Sequence, residues 1–525
     1  MPCPSRAGAF AEPNWVRAAA WVACALALAG GSARAQDASP ESGTSRQASD
    51  LHMLDARTRL GGERIHLPDG ERLGLVGVTE LVSVGGEWWM GPGVYGAMTG
   101  GRGGLFVPGA EVAWSHPFNA WLGVDTGLFV GGGGGGNAPV GGGLMLRPHL
   151  DLLLHPLQGL YTGPTWSIVR FADGSHIDSR QFGWMFNFSS SFDVRRVDGI
   201  APDQATDGHA DGLGFDRVDA TFTAARPHGT LHVSTGAPLT QTIGLVGMRA
   251  EHTLGSGSPA WIGIEAAGAG SGGVAGYAEV LGTAGLRWPV LGDRLSLGAR
   301  VGLGAGGGGD IDTGGGMIGK ADVGATLRVT DTLGVTVEGG LERSRNGHFD
   351  ARTGSIALTW WLDAPHASFD LLQPTPAAEP TRMEFAAGVE RYDATRKTGP
   401  THPLGAGLLQ INRFVTPHFY VTGQAHSALA GGAGAYSVGL FGVGTQWPVF
   451  SRVRVGAEAL AGAAGGGGVQ TNGGAIAQGR GYVDVALGST VSLRVGAGRI
   501  RSFHGGGLDA PVVDAALVFR FGVDR

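Results

Sequence analysis

Three times along this chain, alternating aliphatic residues and glycines run into a block of consecutive glycines: Trp121 to Gly136, Leu295 to Gly309, and Val453 to Gly468. A second glycine cluster follows each copy, at Gly141 to Gly143, Gly314 to Gly316, and Gly473 with Gly474. A proline turn precedes each, at His116-Pro117, Trp288-Pro289 and Trp447-Pro448. A period of two residues is that of a strand, with one face small and the other aliphatic, and glycine is among the poorest residues for a helix interior. Self-similarity at three places means three copies of one structural unit.

The matches place the units at 70–194, 240–363 and 383–525, with about eight strand-length segments marked in the third. The segments 195–239 and 364–382 are richer in Pro, Asp and His and read as linkers, the second carrying two prolines within Pro374 to Pro376 and a third at Pro380. The final strand, Pro511 to Phe521, puts Val513, Ala515, Leu517, Phe519 and Phe521 on one face and Asp514 and Arg520 on the other. Segments of about ten residues alternating in this way suit strands that cross a bilayer.

The first 35 residues read as a cleaved secretory leader: Arg6 and Arg17 precede an apolar run that ends at Ala33-Arg34-Ala35. Residues 36–69 then form a periplasmic N-terminal segment. Both cysteines, Cys3 and Cys24, lie in the leader, which leaves the mature chain without a disulfide, a thiol nucleophile or a thiolate metal site. Beyond the leader no apolar run approaches the roughly 20 residues of a spanning helix. A formal net charge of −6 gives no reason to expect nucleic acid.

The leader, the cysteine-free mature chain, the alternating ten-residue segments and the aromatic final strand together resemble the broad class of Gram-negative outer-membrane β-barrels. The resemblance implies an all-β fold of antiparallel transmembrane strands, residence in the outer membrane among its lipid and lipopolysaccharide, and dealings with the barrel assembly machinery and with periplasmic partners. Two architectures fit: one large barrel with three repeated sectors, or separate small barrels in tandem, which the length of the linkers favours. Even strand counts put both ends of each unit in the periplasm and the glycine loops outside.

The matched charges Asp125, Arg300 and Glu458 share a strand face with Gly123, Gly298 and Gly456. A charge on a lipid face is costly, so all three are expected to face a lumen, as solvated residues or as part of a constriction. The glycine runs are not phosphate loops, because no Gly-Lys-Ser/Thr follows. His176 and His348, each two residues before an Asp, are weak catalytic candidates. Ser175-His176-Ile177-Asp178 is similar in position to the His-x-Ser of the eight-stranded lipid A deacylases, but Asp178 and Asp350 stand where those enzymes carry the serine nucleophile, so catalysis is not the expectation. The histidines show no repeated metal-ligand spacing and no motif calls for a cofactor.

The functional expectation is a channel or exporter component for hydrophilic solutes or a polymer, with Asp50 to Glu71 as a plug or docking piece. The alternatives are a lipid A-modifying hydrolase and a structural barrel that presents loops at the surface. For location, membrane fractionation followed by gel electrophoresis should recover the chain in the outer membrane as a band whose mobility shifts on boiling; recovery as a soluble periplasmic protein without a shift would contradict this reading.

Overall fold

The computed structural model describes residues 51–523 apart from internal stretches, the longest being 196–214 and 363–380. The leader, both cysteines and most of the second linker lie outside the described residues. The rest is all-β and antiparallel, and forms three closed eight-stranded barrels.

Barrel 1 consists of β1 (Leu51–His66), β2 (Arg72–Gly85), β3 (Trp88–Thr99), β4 (Phe106–Pro117), β5 (Leu122–Gly132), β6 (Leu144–Leu157), β7 (Leu160–Phe171) and β8 (Asp178–Arg195), closed by β1 on β8. Barrel 2 begins with β9 (Arg217–Pro227), which a small hairpin of β10 (Leu231–His232) and β11 (Pro238–Leu239) separates from the next barrel strand. It continues through β12 (Ile243–Thr253), β13 (Ala260–Ser271), β14 (Ala278–Leu291), β15 (Leu295–Gly307), β16 (Met317–Arg328), β17 (Leu333–Ser344) and β18 (Asp350–Trp361), with β9 closing it between β12 and β18. Barrel 3 consists of β19 (Thr381–Ala394), β20 (His402–Phe414), β21 (Phe419–Ala430), β22 (Ser437–Phe450), β23 (Val453–Gly465), β24 (Ala475–Ala486), β25 (Val491–Ser502) and β26 (Asp509–Val523), closed by β19 on β26.

Two expectations are corrected here. Of the segment expected to be periplasmic, 36–69, and of its proposed plug, residues up to 50 lie outside the described residues, and 51–71 are instead strand β1, the turn after it and the approach to β2. The charged Arg57, Arg59 and Glu63 of β1 all point inward and are buried. The first linker also contains a barrel strand, β9, where Arg217, Asp219, Thr221 and Thr223 are buried while Phe222 faces out. In both cases inward-facing charges hid the alternation, and the separate closures decide for tandem barrels over one large one.

Each barrel is apolar outside and is filled inside by paired charges and an apolar cluster, and its closure leaves no edge, as a bilayer requires, since every backbone group in hydrocarbon needs a partner. Exposed Val301, Val323, Val337, Ile356, Val443 and Val513 face out, and Trp88, Trp121, Trp288 and Trp447 cluster at the ends where the barrels begin and finish. That end is called the inner end below; the glycine loops lie at the outer end. The chain folds as closed antiparallel β-barrels whose apolar outward faces suit a bilayer crossed by strands.

The barrels meet in a cyclic order. The third strand of each packs against the fifth and sixth of another: β3 against β15 and β16, β13 against β23 and β24, and β21 against β5 and β6. The outer glycine loops interlock at these contacts. Gly103 N donates to Gly314 O at 2.9 Å and Gly434 N to Gly141 O at 3.0 Å. A Cβ on Gly276 would lie 2.7 Å from Gly466 N, and one on Gly104 only 2.2 Å from Gly308 N. Glycine is required here because one barrel's backbone abuts the next.

Gly104 (φ +90°) and Gly432 (φ +67°) occupy corresponding loops, but the space around Gly432 is open. Alanine at either should cost about 1–2 kcal/mol for the left-handed backbone. Only Gly104→Ala drives a methyl into the neighbouring barrel, adding about 1–3 kcal/mol. The unfolding temperature of the heat-modifiable band should fall clearly further for Gly104→Ala; equal losses would remove the interlock.

Candidate functional site

An eight-stranded barrel is only wide enough for its own side chains, and these three interiors are filled by paired charges and by an apolar cluster in each. In barrel 1, Arg57 Nη2 lies 2.9 Å from Asp125 Oδ2, Arg59 bridges Glu111 at 2.9 Å and also meets Asp151, and Arg147 Nε lies 2.8 Å from Glu63 Oε1. In barrel 2, Arg300 contacts Glu265 at 2.6 Å and Asp322 at 2.7 Å, and Lys320 Nζ meets Glu265 at 2.7 Å. In barrel 3, Arg480 Nε lies 2.7 Å from Glu458 Oε2, and Arg494 Nη2 lies 2.7 Å from Glu384 and 3.1 Å from Asp484. The Tyr420 hydroxyl donates to Glu458 Oε1 at 2.6 Å.

The matched residues Asp125, Arg300 and Glu458 therefore sit at corresponding places in three separate interiors, with relative exposures of 0%, 5% and 5%. They are partners in ion-pair networks rather than solvated lumen groups. Arg147, Lys320 and Arg480, each opening toward the strand after a glycine loop, supply cations to these networks. The space in barrel 2 beside Arg217, Trp261, Arg300 and Glu338 amounts to about 20 Å³, room for roughly one water.

The free space is instead between the barrels. A cavity of about 1740 Å³ is walled by Val82, Met90, Pro92, Val94 and Phe106 of barrel 1, Val246, Met248, Ala266 and Val280 of barrel 2, and Leu409, Ile411, Ala425, Gly439 and Phe441 of barrel 3. The interlocked loops, including Gly104, Gly276 and Gly466, form its outer wall. Inside the span the wall is apolar because these residues occupy the outward face of each strand, the face that meets hydrocarbon elsewhere. Phe222 and Phe441, on barrels 2 and 3, have ring centroids 6.5 Å apart with the rings at 71°.

Glu80 departs from this pattern. On β2 the inward set is Leu75, Thr79 and Leu81, and the outward set is Val76, Val78, Glu80 and Val82, so a carboxylate stands among valines on the cavity side. The Thr58 hydroxyl, directly across on β1, donates to Glu80 Oε2 at 2.6 Å. Sequence reasoning did not single Glu80 out. Its signal, one acid on the aliphatic face of an alternating run, is visible once the register is known.

The two histidine candidates lie on different barrels, apart from one another. His176 is exposed on the loop between β7 and β8, where the Ser175 hydroxyl donates to Pro139 O at 2.6 Å. His348 is exposed at the cavity mouth with Nδ1 2.5 Å from Asp312 Oδ2. Partial burial raises the Asp312 carboxyl, but hydrogen bonds from His348 and the Gly314 amide outweigh it and hold the group below its ordinary value. Among the described residues no group of three or more His, Cys, Asp or Glu side chains could hold a metal ion.

No protein-family model matches the chain, and no curated protein matches it. Among solved structures it is similar to the ferric enterobactin receptor PfeA of Pseudomonas aeruginosa (8% identity, 91% of this chain and 82% of that one, TM-score 0.29). It is also similar to the siderophore receptor PirA of Acinetobacter baumannii (7%, 90% and 81%, TM-score 0.27) and to the outer membrane protein OpdK of P. aeruginosa (11%, 89% and 98%, TM-score 0.21).

Truncating one member of a buried charge network strands the others, at a cost of about 3–5 kcal/mol. Arg300→Ala, which leaves Glu265 and Asp322 short of a cation, should lower barrel stability by that amount in refolding titrations. Arg343→Ala, at a pair that is 78% and 40% exposed, should cost less than about 1 kcal/mol. Similar values for the two would mean the interiors are hydrated rather than packed.

Proposed function

We propose that this chain is an outer-membrane transport barrel whose working space is the cavity between its three barrels, and that its cargo is a lipid-like amphiphile. The observation that carries the reading is the contrast between lumens filled by ion pairs and a large apolar-walled space on the axis between them. Passage of hydrophilic solute through a lumen would require breaking networks such as Arg494 with Glu384 and Asp484. The cavity walls offer nothing to hydrate such a solute over most of their height, whereas hydrocarbon chains match Val, Met, Leu and Phe. Burial of apolar ligand surface is worth roughly 25 cal/mol per Å², so a long acyl chain alone supplies micromolar-class binding.

A hydrolytic reading has less behind it. Neither His176 nor His348 has a serine at the position two residues on, and the two are held in separate barrels.

Gly439 faces the cavity, and a Cβ there meets nothing within 4 Å, so a large side chain fills space without displacing protein. In planar bilayers the parent should give little steady conductance. In detergent or nanodiscs it should bind a fluorescent long-chain acyl probe, with affinity falling about tenfold or more in Gly439→Phe. Large stable conductance steps, or probe binding indifferent to Gly439→Phe, would overturn the assignment.

A further inference from the structure

Glu80 is a carboxylate inside the span, on the outward, valine-lined face of β2 where it walls the cavity, and among the described residues it has no ion-pair partner. The corresponding outward positions on the second strands of the other barrels are Ala250 and Ile411, as judged from the register shift all three strands share, at Gly74/Leu75, Gly244/Leu245 and Gly405/Ala406. The fold therefore needs no acid at this point. An ionisable group facing hydrocarbon is expensive, and in membrane proteins such a group marks a ligand or ion pathway.

We propose that Glu80 is the recognition group for a cationic amphiphile, a long-chain molecule bearing an ammonium group, held in the central cavity. This rests on the cavity reading above and adds the sign and place of the polar contact. Thr58, on the neighbouring strand, occupies Oε2 and fixes the carboxylate, leaving Oε1 to meet the cation. Glu80 lies five positions before Gly85, the inner end of β2, so at about 3.3 Å per residue it stands roughly 15 Å above that end. The ammonium group then sits in the inner half of the cavity, and the alkyl chain extends along Val94, Val246 and Met248 toward the glycine loops. A neutral or anionic head in the same place would leave the carboxylate without a counter-charge or repel it.

The test uses two probes of equal chain length, a dansyl alkylammonium and the corresponding dansyl alkyl alcohol, against purified full-length protein in neutral detergent. The parent should bind the ammonium probe about tenfold or more tightly than the alcohol. Glu80→Gln, near in shape and relieved of its charge, should bind both equally, at the strength the parent shows for the alcohol. Glu80→Ala, which places the residue of barrel 2 at this position, should do the same and guards against an effect peculiar to glutamine. Gly439→Phe should weaken both probes alike. A preference for ammonium that survives in both Glu80 variants, or a parent that does not distinguish the probes, would overturn the role of Glu80 while leaving the cavity intact. If neither probe binds the parent, both the role of Glu80 and the cavity reading fail.

Discussion

The structure depends on contact between backbones. Because the outer loops of each barrel present glycine to the next, strands and loops of neighbouring closures approach to hydrogen-bonding distance, as in Gly103 with Gly314 and Gly434 with Gly141. Side chains there would hold the barrels apart by more than an ångström, since a methyl on Gly104 or Gly276 already falls well inside contact distance. The same small faces that permit approach at the outer end leave unfilled volume lower down, where Gly423, Ala425 and Gly439 of barrel 3 look across at Ala266 and Gly268 of barrel 2. Interlock and cavity thus follow from one compositional choice. This accounts for the glycine clusters at the outer loops in a chain whose 98 glycines follow no collagen period.

Closure into small barrels fixes the second feature. Eight strands leave an interior that side chains must fill, and the chain fills it with arginine–carboxylate pairs together with an apolar cluster in each barrel, such as Leu75, Val107 and Phe129 in barrel 1. Each barrel has such pairs, Arg147 with Glu63, Arg300 with Glu265 and Arg480 with Glu458. A buried pair contributes little compared with a well-packed apolar core. Within a barrel, though, inward charge keeps the two strand faces distinct, so a slip of one residue would put arginine into lipid and is strongly disfavoured. The price of that specificity is that none of the three lumens is a passage.

Much of the fold was legible in the sequence. The repeat of Trp121 to Gly136 in two later places gave the number of units, and the face assignment of the last strand holds from Val512 to Arg520. What escaped were strands whose inward face is charged. β1 fell outside the repeated units and β9 within a stretch read as linker for its Pro, Asp and His, and with Arg57, Arg59, Glu63, Arg217 and Asp219 on their inward faces neither shows the apolar alternation, since a sequence pattern cannot show that a charge will find its partner 52 or 84 positions away. Asp125, Arg300 and Glu458 were placed on the correct face, but with solvent in mind, since the packing of an interior is a property of all eight strands. Glu80 lay in plain view but had no meaning until the neighbouring barrels turned an outward face into the wall of a cavity.

The central claim is that three separate barrels stand in contact around one axis, and cross-linking between them tests it most directly. Beyond Cys24 the sequence has no cysteine, so Phe222→Cys and Phe441→Cys can be introduced as a pair where the parent rings lie 6.5 Å apart. A protease site inserted within 363–380 allows the chain to be cut between barrels 2 and 3 after treatment with a short bis-maleimide in membranes. The two fragments should stay joined in the double variant and separate in either single one. Separation in the double variant, with both thiols shown to be reactive, would mean that the barrels do not meet at this face and that the cavity between them is not a feature of the protein in its membrane.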